Sequence, residues 1–322
     1  MLSACAPEED LAPDALSERE VVPDIIEPTP PVENEVENHP AGTASDRENS
    51  PWNIEETHSA NLPQGTGTIE IRNIGDFTFE AGDIQTLRPD IFQDGHFSLF
   101  DILVHLGLNS DIALDYHFDE SLQTHAIDAI NGQRDWWYEA HYSSGWFETN
   151  AFRMDHYPYK NNSRIRIFGE DANTIARIHQ AFRGDIERLT RNGGTVVIPE
   201  LSIRSTEVDE VFQDVVVVPH DVRSDVLQLG TVTALDALLS LADQGKLHRV
   251  KLTWYEQIAR ADPVDNYWVD GIDQAEAAGG CGFVYETGPL AFPGFRGSHI
   301  HIPSDVRVTI SPEYAHWFWI CL

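Results

Sequence analysis

The sequence predicts an α+β protein built from two similar units that follow an acidic tail. Two short helix patterns with matching N-terminal caps begin at Ser98 and Thr233, which are 135 positions apart (233 − 98). Each is followed by stretches in which apolar and polar residues alternate, the period of a half-buried strand. The first 60 residues instead combine 15 acidic residues with 2 arginines and repeated prolines.

The N-terminal segment, residues 1–62, is predicted to be a disordered tether. Its like charges repel and its prolines remove backbone donors, so it buries too little to offset the entropy cost of ordering. Within it, Leu2–Cys5 resembles the lipobox of bacterial lipoproteins. The resemblance implies that Cys5 is lipidated and that the chain is anchored in the cell envelope, facing the periplasm or the exterior. The alternative is an ordinary disordered N-terminus with an incidental cysteine.

Charge narrows the choice of partners. The chain has 21 basic and 53 acidic residues, a formal net charge of −32. Such a surface repels phosphate backbones, so no nucleic-acid partner is expected. No apolar run reaches the roughly 18 residues of a membrane-spanning helix.

The first unit is expected over residues 63–170. Its helix begins at Ser98, whose hydroxyl can accept the N3 amide while Asp101 reaches back to the cap, as in a capping box. An Asn-Gly pair between apolar runs predicts a hairpin turn. The expected elements, in order, are strands Gly67–Ile71, Leu114–Phe118 and Ala126–Ile130, the turn Asn131-Gly132, and strands Trp136–Glu139 and Ser163–Phe168.

A linking helix and a second unit follow. Apolar residues at helical spacing between Thr174 and Asn192 predict an amphipathic helix within residues 171–193. The second unit, residues 194–322, has a helix capped by Thr233 and Asp236. Its other expected elements are strands Gly194–Ile198, Leu252–Tyr255 and Tyr267–Val269, the turn Asp270-Gly271, and strands Phe283–Glu286 and Ser298–Ile302.

This order of elements resembles the transcobalamin-like C-terminal domain, a β-grasp-type fold that recurs in exported proteins of unknown function. The matching segments are Ser98–Leu103, Ile130–Gly132 and Trp136–Tyr138, and then Thr233–Leu238, Val269–Gly271 and Phe283–Tyr285. The resemblance implies two tandem β-grasp-like modules, each a small mixed sheet with one short capped helix. It also raises corrinoid binding as an alternative, because the animal vitamin B12 carriers hold their ligand partly against this domain. Those carriers also use an α/α-toroid domain, for which this chain has no sequence.

The first unit carries the densest group of aromatic residues. Trp136 and Trp137 are neighbours on a predicted strand, so their side chains point to opposite faces, one into the core and the other to the surface. The group is interpreted either as core packing or as an exposed surface for a planar or glycan-like ligand or a partner protein. The ligand-binding candidates are Trp136, Trp137, Tyr138, Tyr142 and Trp146.

Histidines and cysteines of the second unit offer two further sites. His299 and His301 share one face of a predicted strand and His316 follows, a set that can bind Zn²⁺ or Cu²⁺. These positions also fit polar residues that simply face solvent. Cys281 and Cys321 are candidates for one disulfide in an exported chain, although Cys321 also fits a buried free thiol.

The sequence contains none of the common catalytic signatures, so we expect no enzyme activity and no cofactor. The expected function is that of a membrane-anchored surface lipoprotein acting as a binding or interaction module. Its expected partners are the membrane, through the lipid anchor, and an unidentified protein, glycan or small molecule. The first alternative is a capture protein for a small ligand (a corrinoid or glycan) or for Zn or Cu. The second is a hydrolase whose triad is dispersed along the sequence.

Overall fold

A computed structural model describes residues 50–54, 56–141, 148–149, 151–258, 263–290 and 302–321. The chain up to residue 49, including Cys5, lies outside this part. Within it the fold is mixed α+β, with three α-helices and four sheets. None of its helices combines the length and apolarity that a membrane crossing requires.

The first half of the fold contains two helices and eight strands among the described residues. They are β1 (Trp52–Asn53), β2 (Thr66–Ile71), β3 (Gly75–Glu80), α1 (Leu99–Asn109), β4 (Leu114–Asp119), β5 (Thr124–Ile130), β6 (Trp136–His141), β7 (Glu148–Thr149), β8 (Arg164–Gly169) and α2 (Ala172–Arg191). The long helix α2 is the predicted linking helix. It ends at Asn192, where Gly193 takes a positive φ of 64° that favours glycine.

The second half contains one helix and seven strands in the described part of the chain. They are β9 (Val196–Arg204), β10 (Asp209–Val217), α3 (Ala234–Asp243), β11 (Val250–Tyr255), β12 (Asn266–Ile272), β13 (Ala275–Glu276), β14 (Cys281–Gly288) and β15 (Tyr314–Cys321).

The principal sheets of the two halves share the order of four strands, and β7 extends the first sheet by a fifth. The first runs β3-β2-β8-β6-β7 and the second β10-β9-β15-β14. In both, the first hairpin is antiparallel, its inner strand pairs in parallel with a late strand, and that strand pairs antiparallel with the next. Each half also pairs two strands apart from this sheet, β4 with β5 and β11 with β12, and both pairings contain a register shift.

The two capped helices form as predicted. In α1 the Ser98 hydroxyl accepts from the Asp101 amide, and the Asp101 carboxylate accepts from the Ser98 amide at 2.7 Å. Thr233 and Asp236 make the same capping box at α3. The N-terminal turns of both helices are buried, so the caps satisfy amides that solvent does not reach.

Of the two predicted turns, Asn131-Gly132 forms and Asp270-Gly271 does not. Asn131-Gly132 is a tight turn with positive φ at both residues, but β5 and β6 then separate into different sheets, so the predicted hairpin is wrong. Asp270-Gly271 is not a turn, because β12 continues through Gly271, which pairs with both Lys251 and Glu276. The chain reverses instead after Ile272, where Asp273 takes a φ of 51°.

The predicted tether is too long at its C-terminal end. From Trp52 onward the chain is part of the fold, because β1 pairs in parallel with β11 and the Trp52 indole is buried. Its Nε1 donates to Asp243 at 2.9 Å. Further on, the amides of Ala60 and Asn61 donate to carboxylates of the second half. We call residues 50–54 and 56–62 the strap.

The halves share packing at their junction. Short segments around Gln93 and Gln228 meet antiparallel, and each amide donates to the other segment, Gln93 to Val226 and Gln228 to Ile91. The two side-chain amides repeat this exchange. The apolar core of the first half includes residues of the second, namely Val226, Leu227, Ile302, Val306 and Val308.

Candidate functional site

Arg88 and Asp155 form a buried ion pair at the centre of the first half. Nη1 of Arg88 lies 2.9 Å from Oδ2 of Asp155, while its Nε donates to Asp90. Oδ2 also accepts from the backbone amide and from Nδ1 of His125, both at 2.9 Å. The Thr124 hydroxyl donates to Oδ1. The carboxylate is thus surrounded by donors.

These donors keep the Asp155 carboxylate ionised. Burial by itself disfavours the Asp155 carboxylate, but the hydrogen bonds from His125 and Thr124 and the charge of Arg88 outweigh it and hold the Asp155 pKa well below its usual range. A carboxylate can only accept hydrogen bonds, so Nδ1 of His125 carries the proton. Burial lowers the pKa of the neighbouring His156 to about 3, so this imidazole is neutral.

The second half repeats this network. Nη1 of Arg223 lies 2.7 Å from Asp305, its Nε donates to Asp225, and the amide of Tyr267 donates to Asp305 at 2.8 Å. In both halves the guanidinium also covers an aromatic ring of the small strand pair. Arg88 lies 5.6 Å from the ring centroid of Phe118, and Arg223 lies 5.1 Å from that of Trp254.

Sequence reasoning missed these two networks, although a signal was present. Arg-x-Asp occurs at residues 88–90 and 223–225, again 135 positions apart (223 − 88). That is the same offset that separates Ser98 from Thr233. The buried arginines therefore belong to the repeated framework of the fold.

One position in the network differs between the halves. His125 pairs with Phe118 across β4 and β5, and Tyr267 pairs with Trp254 across β11 and β12. The Tyr267 hydroxyl accepts from the amide of His58 at 3.0 Å and donates to the strap carbonyl of Glu56 at 3.1 Å. In the first half His125 is instead one of the residues that line an open groove.

This groove has a volume of about 350 Å³. It lies between the β4–β5 pair, β6 and α2, and we call it the His125 groove. Its aromatic and apolar lining consists of Phe100, Ala126, Ile127, Trp136, Trp137, Tyr138, Met154, Ile175 and Phe182. Its polar lining consists of Thr124, His125, Asp128, Arg134, Asp135, Arg153 and His179. A size of 300–1,000 Å³, a largely apolar wall and a few polar groups are typical of small-molecule sites.

Two histidines line this groove from different elements. His125 stacks on Phe100 with ring centroids 5.2 Å apart and planes 19° apart. His179 on α2 lies edge-on to Trp137 at 6.2 Å, and burial, assisted by Arg183, lowers its pKa. Near pH 7 the groove therefore offers one acceptor nitrogen from the neutral ring of His179. It also offers the ring of His125, whose orientation Asp155 fixes.

The aromatic candidates are only partly placed as predicted. Trp136, Trp137 and Tyr138 line the groove, but all three are buried, with 5%, 7% and 1% of their surface exposed. The prediction that one indole lies on the surface is wrong. Trp137 is covered because Phe182 of α2 packs against it, and the Trp136 indole donates to the Gln133 carbonyl. Tyr142 and Trp146 lie outside the described residues.

Of the three histidine candidates for metal, only His316 lies within the described residues. His299 and His301 lie outside the described residues. His316, on β15, is half-buried, and burial lowers its pKa. Its buried Nε2 has no partner in the described part of the chain. That part contains no group of three or more His, Cys, Asp or Glu able to hold a metal ion.

Cys281 and Cys321 form a disulfide in the structure. The two residues face each other across β14 and β15, so the bridge joins neighbouring strands of the second principal sheet. Cys321 is exposed, which excludes the alternative of a buried free thiol. Closing a loop of 40 residues stabilises by about 4 kcal/mol in the chain-entropy account.

Comparisons with other proteins give no assignment for this site. No protein-family model, no curated protein and no solved structure matches the chain. The site is therefore interpreted from its own geometry and from the comparison of the two halves.

Proposed function

We propose that this chain is a non-catalytic binding protein of the cell envelope whose ligand site is the His125 groove. In this proposal Cys5 carries a lipid anchor and the acidic N-terminal tail spaces the folded part from the membrane. The ligand is a small, planar molecule. The observation that carries the proposal is the groove itself, a recess of about 350 Å³ with aromatic walls.

We also propose that the two halves descend from one duplicated unit of the transcobalamin-like, β-grasp type. The matched strand orders, the two capping boxes and the two Arg–Asp networks support this proposal. A duplicated unit explains why the frameworks agree while the surfaces differ. In the second half the strap bonds to the side chain of Tyr267, the residue equivalent to His125, and in the first half His125 has no such contact with the strap.

Binding of a planar probe tests the proposed site. We expect 1-methylindole, which has a flat apolar surface and no N–H group, to bind the full chain with a Kd of about 1 mM or tighter. Chemical-shift changes in nuclear magnetic resonance spectra should map to residues that line the groove.

A groove-filling variant supplies the control. Ile127→Trp places a bulky ring in the lining and should weaken 1-methylindole binding at least tenfold. Val211→Trp adds the same ring on β10, where Val211 is 47% exposed, and should leave binding unchanged. Equal binding by both variants, or shifts that map elsewhere, would place the ligand outside the groove.

Lipid anchoring is tested separately. We expect the protein in its native host to sediment with membranes, and Cys5→Ser to release it into the soluble fraction. Replacing both Cys281 and Cys321 with Ser should leave it in the membrane fraction, because those residues form a disulfide. Retention of the Cys5→Ser variant in membranes would contradict the anchor without bearing on the groove.

A further inference from the structure

We infer that His125 is the residue that selects the ligand, and that the groove binds an uncharged aromatic ring bearing an N–H donor. This inference rests on the proposed function, since it concerns the same groove. It follows from the comparison of the halves and from the hydrogen bonds of the imidazole.

The repeated network shows which contacts the fold itself uses. In each half a buried aspartate binds an arginine and the backbone amide of one residue, His125 in the first half and Tyr267 in the second. The framework contact at this position is thus the amide, which any residue other than proline provides. The imidazole of His125 adds a side-chain contact that has no counterpart at Tyr267.

The imidazole is oriented before any ligand arrives. Its Nδ1 donates to the ionised Asp155, which three other hydrogen bonds hold in place, and its ring stacks on Phe100. In the neutral form of the ring Nδ1 carries the proton, so Nε2 is the acceptor.

Nε2 is left available to a ligand. It has no hydrogen-bond partner in the part of the chain that the structure describes. It is also not among the buried side-chain atoms that lack a partner there, so it reaches solvent. His125 is a lining residue with 11% of its side chain exposed. The groove is therefore where a donor can meet this nitrogen.

The residues that line the His125 groove indicate the shape and charge of the ligand. Aromatic rings from α1, β6 and α2 favour a flat apolar body, which stacks or packs edge-on against them. The rim carries two carboxylates, Asp128 and Asp135, and one guanidinium, Arg134. On a chain with a net charge of −32, this rim disfavours an anion. An uncharged planar N–H donor satisfies the walls, the rim and His125 together.

Indole and 1-methylindole form the matched probe pair, since they share the ring and differ at the N–H group. We expect indole to bind the full chain about fivefold tighter than 1-methylindole, the effect of one neutral hydrogen bond. His125→Phe keeps an aromatic ring without an acceptor and should abolish this preference while 1-methylindole still binds. Tyr267→Phe, the matched change in the second half, should leave the preference intact.

A measurement on the unmodified chain tests the same role of His125, and it holds even if the His125→Phe variant folds poorly. Indole should shift the ¹⁵N resonance of His125 Nε2 by several parts per million, and 1-methylindole should not. Equal affinities for the two probes, or an unmoved Nε2 resonance on saturation with indole, would overturn the role of His125 while the groove remains a binding site. Failure of both probes to bind would overturn the groove and the selection together.

Discussion

Asp155→Ala is expected to lower the free energy of unfolding by about 3–5 kcal/mol. The substitution leaves the Arg88 guanidinium buried without its charge partner, because only 8% of that side chain is exposed. It also removes the acceptor of the Thr124 hydroxyl and of the His125 amide. Buried donors without partners lose their hydration on folding and gain nothing in exchange.

Urea denaturation of the protein with its Cys281–Cys321 disulfide intact measures this loss of unfolding free energy. Asp128→Ala is the control, since Asp128 also pairs with a histidine, His117, but with about half of both side chains exposed. Exposed pairs of this kind contribute about 0–1 kcal/mol. A loss for Asp155→Ala as small as that of the control would show that the network is not a framework element.

The second half offers an independent copy of this test. Asp305→Ala removes the partner of Arg223, whose side chain is 1% exposed, and the acceptor of the Tyr267 amide. We expect a loss in the same range as for Asp155→Ala. The pair of variants also separates stability from binding, because only the first removes the group that orients His125. Ligand selection should therefore fail in the Asp155 variant and persist in the Asp305 variant wherever both remain folded.

The sequence predicts the elements of this fold better than their arrangement. Both capped helices, the linking helix and most strands are local features, set by cap residues and by the spacing of apolar side chains. Whether Asn131-Gly132 closes a hairpin is not decided by local sequence. The turn forms, but whether its flanking strands stay together depends on β8, which pairs with β6 from more than 20 residues further along. Asp270-Gly271 fails similarly, because β13 extends the sheet past it.

The candidate site shows where prediction from residues ends. Composition identified the Trp136–Tyr138 cluster, and these residues do line the groove. It did not reveal that α2 would cover Trp137, since this contact joins residues more than 40 positions apart. His125 had no signal of its own. The role that we propose for it follows only from comparing the hydrogen bonds of the two halves.

Acidification from pH 7 to pH 4 is expected to destabilise the protein by more than about 3 kcal/mol. Two buried histidines carry this prediction. Burial lowers the pKa of His96 to about 4, with Asp225 opposing the change and Arg223 and Lys160 adding to it. Burial likewise lowers the pKa of His156 to about 3, against the attraction of Asp155 and with the repulsion of Arg88 and Arg153.

The sign follows from proton uptake. An unfolded histidine binds a proton below a pKa of about 6.5, whereas these two stay neutral in the folded state until about pH 4 and pH 3. Between these limits the unfolded chain binds more protons, so stability falls as pH falls. Lys160 extends the rise of stability with pH above pH 7, because burial lowers the pKa of its ammonium group to about 7. Stability should therefore still rise between pH 7 and pH 9.

His220 provides a contrast of opposite sign. Its two ring nitrogens lie 2.9 Å from Asp236 and 3.0 Å from Asp243, and Trp52 packs edge-on against the ring. Burial disfavours the charged ring, but the two carboxylates outweigh it and raise its pKa. Its stabilisation is present below the unfolded pKa and is lost as pH rises through the raised folded value. Removing it should therefore steepen the acid loss, whereas removing His96 should flatten it.

Urea unfolding at pH 4, 5, 6, 7 and 9 distinguishes these contributions. His96→Thr introduces the residue that stands at the matching position of the second half, Thr231, and should weaken the dependence on pH. His220→Phe keeps a ring beside Trp52 and should strengthen it. Parallel curves for the unmodified chain and both variants would mean that the acid response arises from the general repulsion and protonation of the acidic surface. Curves that diverge with opposite signs would locate it in the buried histidines, and so in the interior that holds His156 beside the candidate site.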